Sequence, residues 1–114
     1  MSHRINYKED LIAEPYSFPE AELHQVVAYQ VHGTPADAVR VGLYLFKETP
    51  PDIVVSGINV GNNVSICAIY SGTVAACAEG AINGFPAIAF SCDAPISVMH
   101  SNKTVFLSLF IFII

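Results

Sequence analysis

Residues 52–90 constrain the fold more than any other stretch. Residues 52–58, Asp-Ile-Val-Val-Ser-Gly-Ile, form a short apolar run rich in β-branched side chains. The run lacks polar alternation, which suits a strand covered on both faces, as in a parallel sheet. Asn59-Val60-Gly61-Asn62-Asn63 then interrupts it with residues that tolerate left-handed backbone and carry side-chain amides. Tyr70-Ser71-Gly72-Thr73 leads into an alanine-rich segment that ends at Asn83-Gly84, a helix stop. Phe85-Pro86 hands the chain to a second apolar run, Ala87-Ile88-Ala89-Phe90. The order is strand, loop, helix, strand: one βαβ unit, with its loop at the carboxyl end of a strand, where open α/β sheets bind ligands.

The rest of the chain adds one helix and weaker strand signals. Gly33-Thr34-Pro35-Ala36-Asp37 is a helix start: Thr34 can cap, Pro35 suits the first helical position, and Asp37 lies in the first turn near the positive end of the dipole. Val39, Gly42, Leu43 and Phe46 then share one face at helical spacing. Thr49-Pro50-Pro51 ends the helix. Upstream, Val27, Tyr29 and Val31 alternate as a strand would, half of a hairpin with something earlier in the chain. Residues 2–22 read as loop with one edge strand. The pattern predicts parallel strands at about 53–58 and 87–91 and helices at about 34–47 and 72–83.

A chain of 114 residues is at most one small domain. Its net charge of -5, with only five Lys and Arg, excludes a binder of nucleic-acid polymer. Cys67, Cys77 and Cys92 are odd in number and lack metal-ligand spacing, so reduced thiols in a cytoplasmic protein are expected. His3, His24, His32 and His100 have no metal-ligand spacing either. Residues 1–10 are polar throughout and do not read as a secretory leader. On that ground the glycosylation sequons at Asn63 and Asn102 are read as chance. Residues 92–103 read as turn. Residues 105–114 are almost wholly apolar but fall short of the roughly 20 residues a membrane helix needs. A buried strand or helix cut short, or a non-native C-terminus, is the reading, rather than a membrane anchor.

The central loop suggests a chemistry. Gly57, Gly61 and Gly72 allow backbone to approach a ligand closely. The amides of Gly72 and Thr73 would open a helix beside the Ser71 hydroxyl, an arrangement suited to phosphate. Asn59 and Asn63 offer neutral oxygens to a hard cation or hydrogen bonds to an oxyanion. Neither the Gly-Lys-Ser/Thr of a Walker loop nor G-x-G-x-x-G occurs. A glycine-rich βα turn with no ligand has the same composition, and spacing alone does not separate the two.

Three blocks in register carry a resemblance: residues 33–37, residues 51–63, and residues 69–76 with Glu79-Gly80 and Phe85-Pro86-Ala87. Together they resemble the SurE (survival protein E) family, best over residues 33–91. Ser2-His3-Arg4-Ile5 is faintly similar to that family's His-Ser-Ile-Thr segment. The resemblance implies a Rossmann-like three-layer α/β/α sandwich, incomplete at both ends, with residues 1–95 as the partial domain and 96–114 as an apolar tail. It implies a metal-dependent phosphomonoesterase of acid-phosphatase type, a hydrolase acting on nucleoside 5'- and 3'-monophosphates. The cofactor implied is magnesium or manganese, and the assembly a homodimer or tetramer. Asn59 matches the family's metal-binding Asn, and Ser71, Gly72 and Thr73 match its phosphate-binding block, with Asn63 beside them.

The family's Asn-Asp-Asp-Gly metal loop does not occur in this chain. Its usual Gly and polar residues before Tyr70 are replaced by Val64-Ser65-Ile66-Cys67. Two classes therefore stand side by side: an enzyme, or an inactive phosphate-binding remnant without the Asp pair. A sheet short of its first strands, with an unpartnered tail, is also expected to be marginally stable.

Overall fold

The computed structural model describes residues 5–6, 10–20, 26–61, 63 and 65–92, and the backbone of 109–113. Two small sheets organise these residues. Strands β1 (Ile12–Tyr16) and β2 (Ala28–His32) pair antiparallel, with Glu14 opposite Gln30. This is the hairpin expected from the alternation at Val27, Tyr29 and Val31. The His32 ring nitrogen donates to Glu14 across the pair at 3.3 Å, and both groups are exposed. His3, His24 and His100, the faint match at residues 2–5 (apart from Ile5) and residues 93–103 of the expected turn lie outside the described residues, while Cys92, read as the start of that turn, instead ends a strand.

Helix α1 (Pro35–Leu45) starts as its sequence dictates. The Thr34 Oγ1 accepts from the Asp37 amide at 3.2 Å, while the Asp37 carboxylate accepts from the Thr34 amide and hydroxyl, each at 2.9 Å. This reciprocal capping box satisfies donors that a helix start otherwise leaves unpaired. Val39, Gly42, Leu43 and Phe46 do share a face. With Thr49, Pro51, Ile53 and Val54 they line an apolar groove of about 350 Å³ at the amino end of the next strand.

That strand, β3 (Val54–Val60), pairs parallel with β4 (Ala87–Cys92), and β5 (Leu109–Ile113) pairs antiparallel with the far side of β4. The expectation that the apolar tail lacks a partner is thereby corrected. Its backbone completes a three-stranded sheet, with Phe90 opposite Ile111. A β-branched and aromatic run finds its hydrogen bonds on an otherwise open sheet edge.

Helix α3 (Gly72–Ile82) covers one face of β3 and β4. The core beneath it is small: Cys77, Ala87 and Ala89 are buried, with Val54 and Ala81 packed against them. Small side chains bring helix and sheet close together. On the face away from this core, Val55 remains 59% exposed. The described residues thus supply helix and sheet layers of the α/β sandwich, and the third layer is not among them. Glu79 ties α3 to its surroundings: it takes a hydrogen bond from Asn83 Nδ2 at 3.0 Å and lies 3.7 Å from Arg40 Nε of α1. No described helix is long and apolar enough to cross a membrane.

Candidate functional site

The site begins with an irregularity in β3. Ser56 stands opposite Ala89, but Asn59 stands opposite Ser91, so β3 carries one residue more than β4 between these pairs. This is a bulge, a device that re-aims the side chains beyond it. Gly57 makes it possible. Its φ of +113° lies where side-chain-bearing residues are strained, and a Cβ there would collide with the Phe90 carbonyl oxygen. The Gly57–Ile58 peptide is cis.

Past the bulge, the carboxyl end of β4 holds the loop. The Gly61 amide donates to the Cys92 carbonyl at 2.7 Å. Asn63 Nδ2 donates to Ser91 Oγ at 2.5 Å, and both residues are buried. Asn59 turns its own amide nitrogen to the Gly61 carbonyl at 3.3 Å, which commits Nδ2 and keeps Oδ1 as an acceptor.

A short helix, α2 (Ile66–Tyr70), follows; the sequence patterns did not predict it. It buries none of its residues, and its preceding Ser65 has φ 56° and ψ -133° with no side-chain cap. Ser71 then caps α3, its Oγ accepting from the Val74 amide at 3.2 Å while only 7% of the residue is exposed. Gly72 and Thr73 occupy the first two helical positions, whose amides have no partner within a helix. Gly72 has no room for a Cβ, which would fall 2.8 Å from Pro35 Cγ; the amino termini of α1 and α3 therefore sit side by side. In a βαβ unit the helix runs back along the strands. Gly80, near the end of α3, accordingly lies against Val54 at the start of β3. The amino terminus of α3 thus faces the edge where β3 and β4 end, the edge that carries Asn59, Asn63 and Ser91. The apolar groove at Val54 lies at the other end of the strand.

The groups that sequence reasoning missed are Ser91 and Asp37. Ser91 sits inside an apolar strand and has no signal of its own until the register places it opposite Asn59. Asp37, read as first-turn charge, is fully buried and also accepts from the Asn6 amide at 3.0 Å. Burial pushes its carboxyl up, but the hydrogen bonds from Thr34 and Asn6 and the nearby Arg40 outweigh this and lower its pKa below the usual carboxylate value. Burial pushes the Cys77 thiol up. Cys67 is exposed and Cys77 and Cys92 are buried, and none of the three forms a disulfide.

Can these residues hold a divalent cation? Asn59 offers one neutral oxygen. Asp37 has both oxygens engaged by Asn6 and Thr34. Among the described residues no three His, Cys, Asp or Glu side chains come together as a cation site. Hard divalent cations favour several oxygen donors, carboxylates among them, so the described residues do not fit a complete site.

A parallel strand pair with a glycine-rich loop and a helix amino terminus at its carboxyl edge defines a Rossmann-like α/β protein. The chain belongs to the SurE family: the family described as Survival protein SurE matches residues 1–110. Among curated relatives, the 5'-nucleotidase SurE of Pelotomaculum thermopropionicum is 47% identical over 89 residues, covering 78% of this chain and 33% of the relative. That of Methanopyrus kandleri is 46% identical over 97 residues, covering 82% and 37%. The crystal structure of the SurE protein from Aquifex aeolicus superposes with a TM-score of 0.63 at 40% identity, covering 78% of this chain and 34% of that one. The chain spans about a third of the length of the curated relatives it matches.

Proposed function

We propose that this chain carries the phosphoester-binding part of a metal-dependent phosphomonoesterase acting on nucleoside 5'- and 3'-monophosphates. One observation carries the reading. Ser71 caps α3 at the carboxyl edge of the parallel pair β3–β4 and leaves the Gly72 and Thr73 amides at the helix start. A helix amino terminus favours an anion through its unpaired amides and its dipole. Family membership, with relatives named 5'-nucleotidase SurE, makes a phosphomonoester the matching anion. In this reading Ser71, Gly72 and Thr73 take the phosphoryl oxygens, and Asn63 lies beside them. Asn59 would offer one oxygen to a magnesium or manganese ion, whose carboxylate ligands the described residues do not supply. The metal would supply Lewis-acid activation. The protein is cytoplasmic and assembles as a homodimer or tetramer.

A second reading has an observation in its favour. Asp37 is buried among described residues with both oxygens already hydrogen-bonded, so it is not a carboxylate ready for a cation. The chain by itself would then bind phosphate without turning it over. One experiment covers both readings. Inorganic phosphate and AMP are titrated into the full chain by NMR, and p-nitrophenyl phosphate hydrolysis is followed with added magnesium or manganese. Phosphate binding that disturbs the Gly72 and Thr73 amides supports the site. Absence of any such binding removes it. Metal-dependent turnover selects the first reading, and binding without turnover the second.

A further inference from the structure

We propose that Ser91 is a positioning residue of the phosphoester site, acting through Asn63; the proposal rests on the reading given above. Ser91 is fully buried in β4, on the same face of the strand as the buried Ala87 and Ala89. A hydroxyl in such a place is costly unless it is paired. Its partner is Asn63 Nδ2, 28 residues earlier in the chain and itself only 7% exposed. Ser91 is also the register partner of Asn59. One β4 side chain thus stands opposite the first asparagine of the loop and binds the last. The neighbouring bond from the Gly61 amide to the Cys92 carbonyl holds the middle of that loop to the same strand.

This arrangement has a function that packing alone does not require. An alanine at position 91 would continue the small apolar series of β4 without exposing an unpaired group on that strand. What the serine adds is a fixed rotamer for Asn63 and a fixed place for it against β4. Loops are the mobile parts of a fold, and a ligand site built on one needs its side chains held by neighbours on rigid elements. Ser91 supplies that hold from the sheet, without touching the ligand.

The test is a double-mutant cycle on the full chain, with inorganic phosphate as the probe. Ser91→Ala is expected to weaken phosphate binding about tenfold, the equivalent of one hydrogen bond's ordering effect. Asn63→Ala breaks the same bond from the loop side, leaves the packed strand intact, and is expected to weaken binding at least as much. In the Asn63→Ala background, Ser91→Ala should have no further effect, since its role passes through Asn63. Ser91→Thr, which keeps the hydroxyl, should restore most of the affinity. Additive losses, or unchanged affinity in Ser91→Ala, would overturn the proposal. Hydrogen exchange gives an independent arm. The Gly61 amide and the Asn63 side-chain amide should lose protection in Ser91→Ala, and unchanged protection would also overturn the proposal. If the unmodified chain binds no phosphate, the nucleotide-site reading fails, and the exchange arm alone decides whether Ser91 anchors the loop. Should Ser91→Ala fail to fold, Ser91→Cys, which replaces the hydroxyl with a weakly hydrogen-bonding thiol, carries the binding and exchange measurements in its place.

Discussion

Gly80 of α3 rests directly on Val54 of β3: a Cβ added at Gly80 would stand 2.8 Å from the Val54 Cβ and 2.9 Å from its Cγ2. The helix can approach the sheet this closely only because the contact has hydrogen on one side. The approach also fixes where the amino terminus of α3 lies over the strand ends. Gly80→Ala is therefore expected to destabilise the fold by about 1–3 kcal/mol, the range for overpacking a close contact. Gly42 of α1 is the control, because a Cβ there meets nothing within 4 Å. Gly42→Ala should stabilise by about 0.5–1 kcal/mol through helix propensity. Urea melts of the two variants check the opposite signs, and destabilisation by both would contradict the packing described.

Asp37 should make stability depend on pH. Its carboxyl is buried, and its pKa is lowered because hydrogen bonds from Thr34 and Asn6, with Arg40, outweigh desolvation. In the unfolded chain it ionises near the ordinary value of 3.8. The folded state therefore binds fewer protons in the window below 3.8, and stability there rises with pH. The contribution is complete above that value and is lost as pH falls through the lowered folded-state pKa. Asp37→Asn should remove this dependence and cost about 1–3 kcal/mol at neutral pH, since buried partners lose a charged acceptor. Melting curves from pH 2 to 5, across the window below 3.8, provide the check for both proteins. Parallel curves would show that Asp37 is not the group responsible.

Ser65 carries a backbone that suits glycine. Its φ of 56° and ψ of -133° fall outside the regions open to residues with a Cβ. Such a conformation costs about 1–3 kcal/mol for a non-glycine residue. Ser65→Gly should raise stability by about 1 kcal/mol, after the extra unfolded-state entropy of glycine is subtracted. A lower melting temperature in Ser65→Gly would show that this turn is not strained.

What the sequence disclosed about this fold follows from how local each signal was. The capping box at Thr34 and Asp37, the helix stop at Asn83-Gly84 and the β-branched run at Val54 and Val55 act through neighbours within a few residues. The two helices and the parallel pair were legible for that reason. Helix α2 was not, since Ile66, Ile69 and Tyr70 are exposed and present no buried face for periodicity to reveal. The pairing of β5 with β4 is a long-range event that an apolar run cannot specify on its own. At the site, Asn59, Asn63 and Ser71 stood out by residue type. Ser91 acquires meaning only from a register that the Gly57 bulge sets, and Asp37 takes one of its hydrogen bonds from a backbone amide 31 residues away.

Ser71 should allow helix capping and anion binding to be separated. Its Oγ accepts the Val74 amide, and the residue sits where the Gly72 and Thr73 amides begin α3. Ser71→Ala removes the cap, which costs about 1 kcal/mol, and removes a hydroxyl from the anion site. A loss of phosphate binding in that variant would not say which change caused it. Ser71→Asp resolves the question. Aspartate is as good an N-cap as serine and its charge suits the helix dipole, so stability should stay within about 0.5 kcal/mol of the unmodified chain. The same carboxylate occupies the position proposed for the phosphoryl group and repels it. Phosphate affinity should therefore fall by more than tenfold, since a like charge at contact distance opposes binding by at least about 1.4 kcal/mol. Paired urea melts and phosphate titrations of Ser71→Ala and Ser71→Asp give the answer. A Ser71→Asp chain that is stable and still binds phosphate normally would place the anion away from the amino terminus of α3.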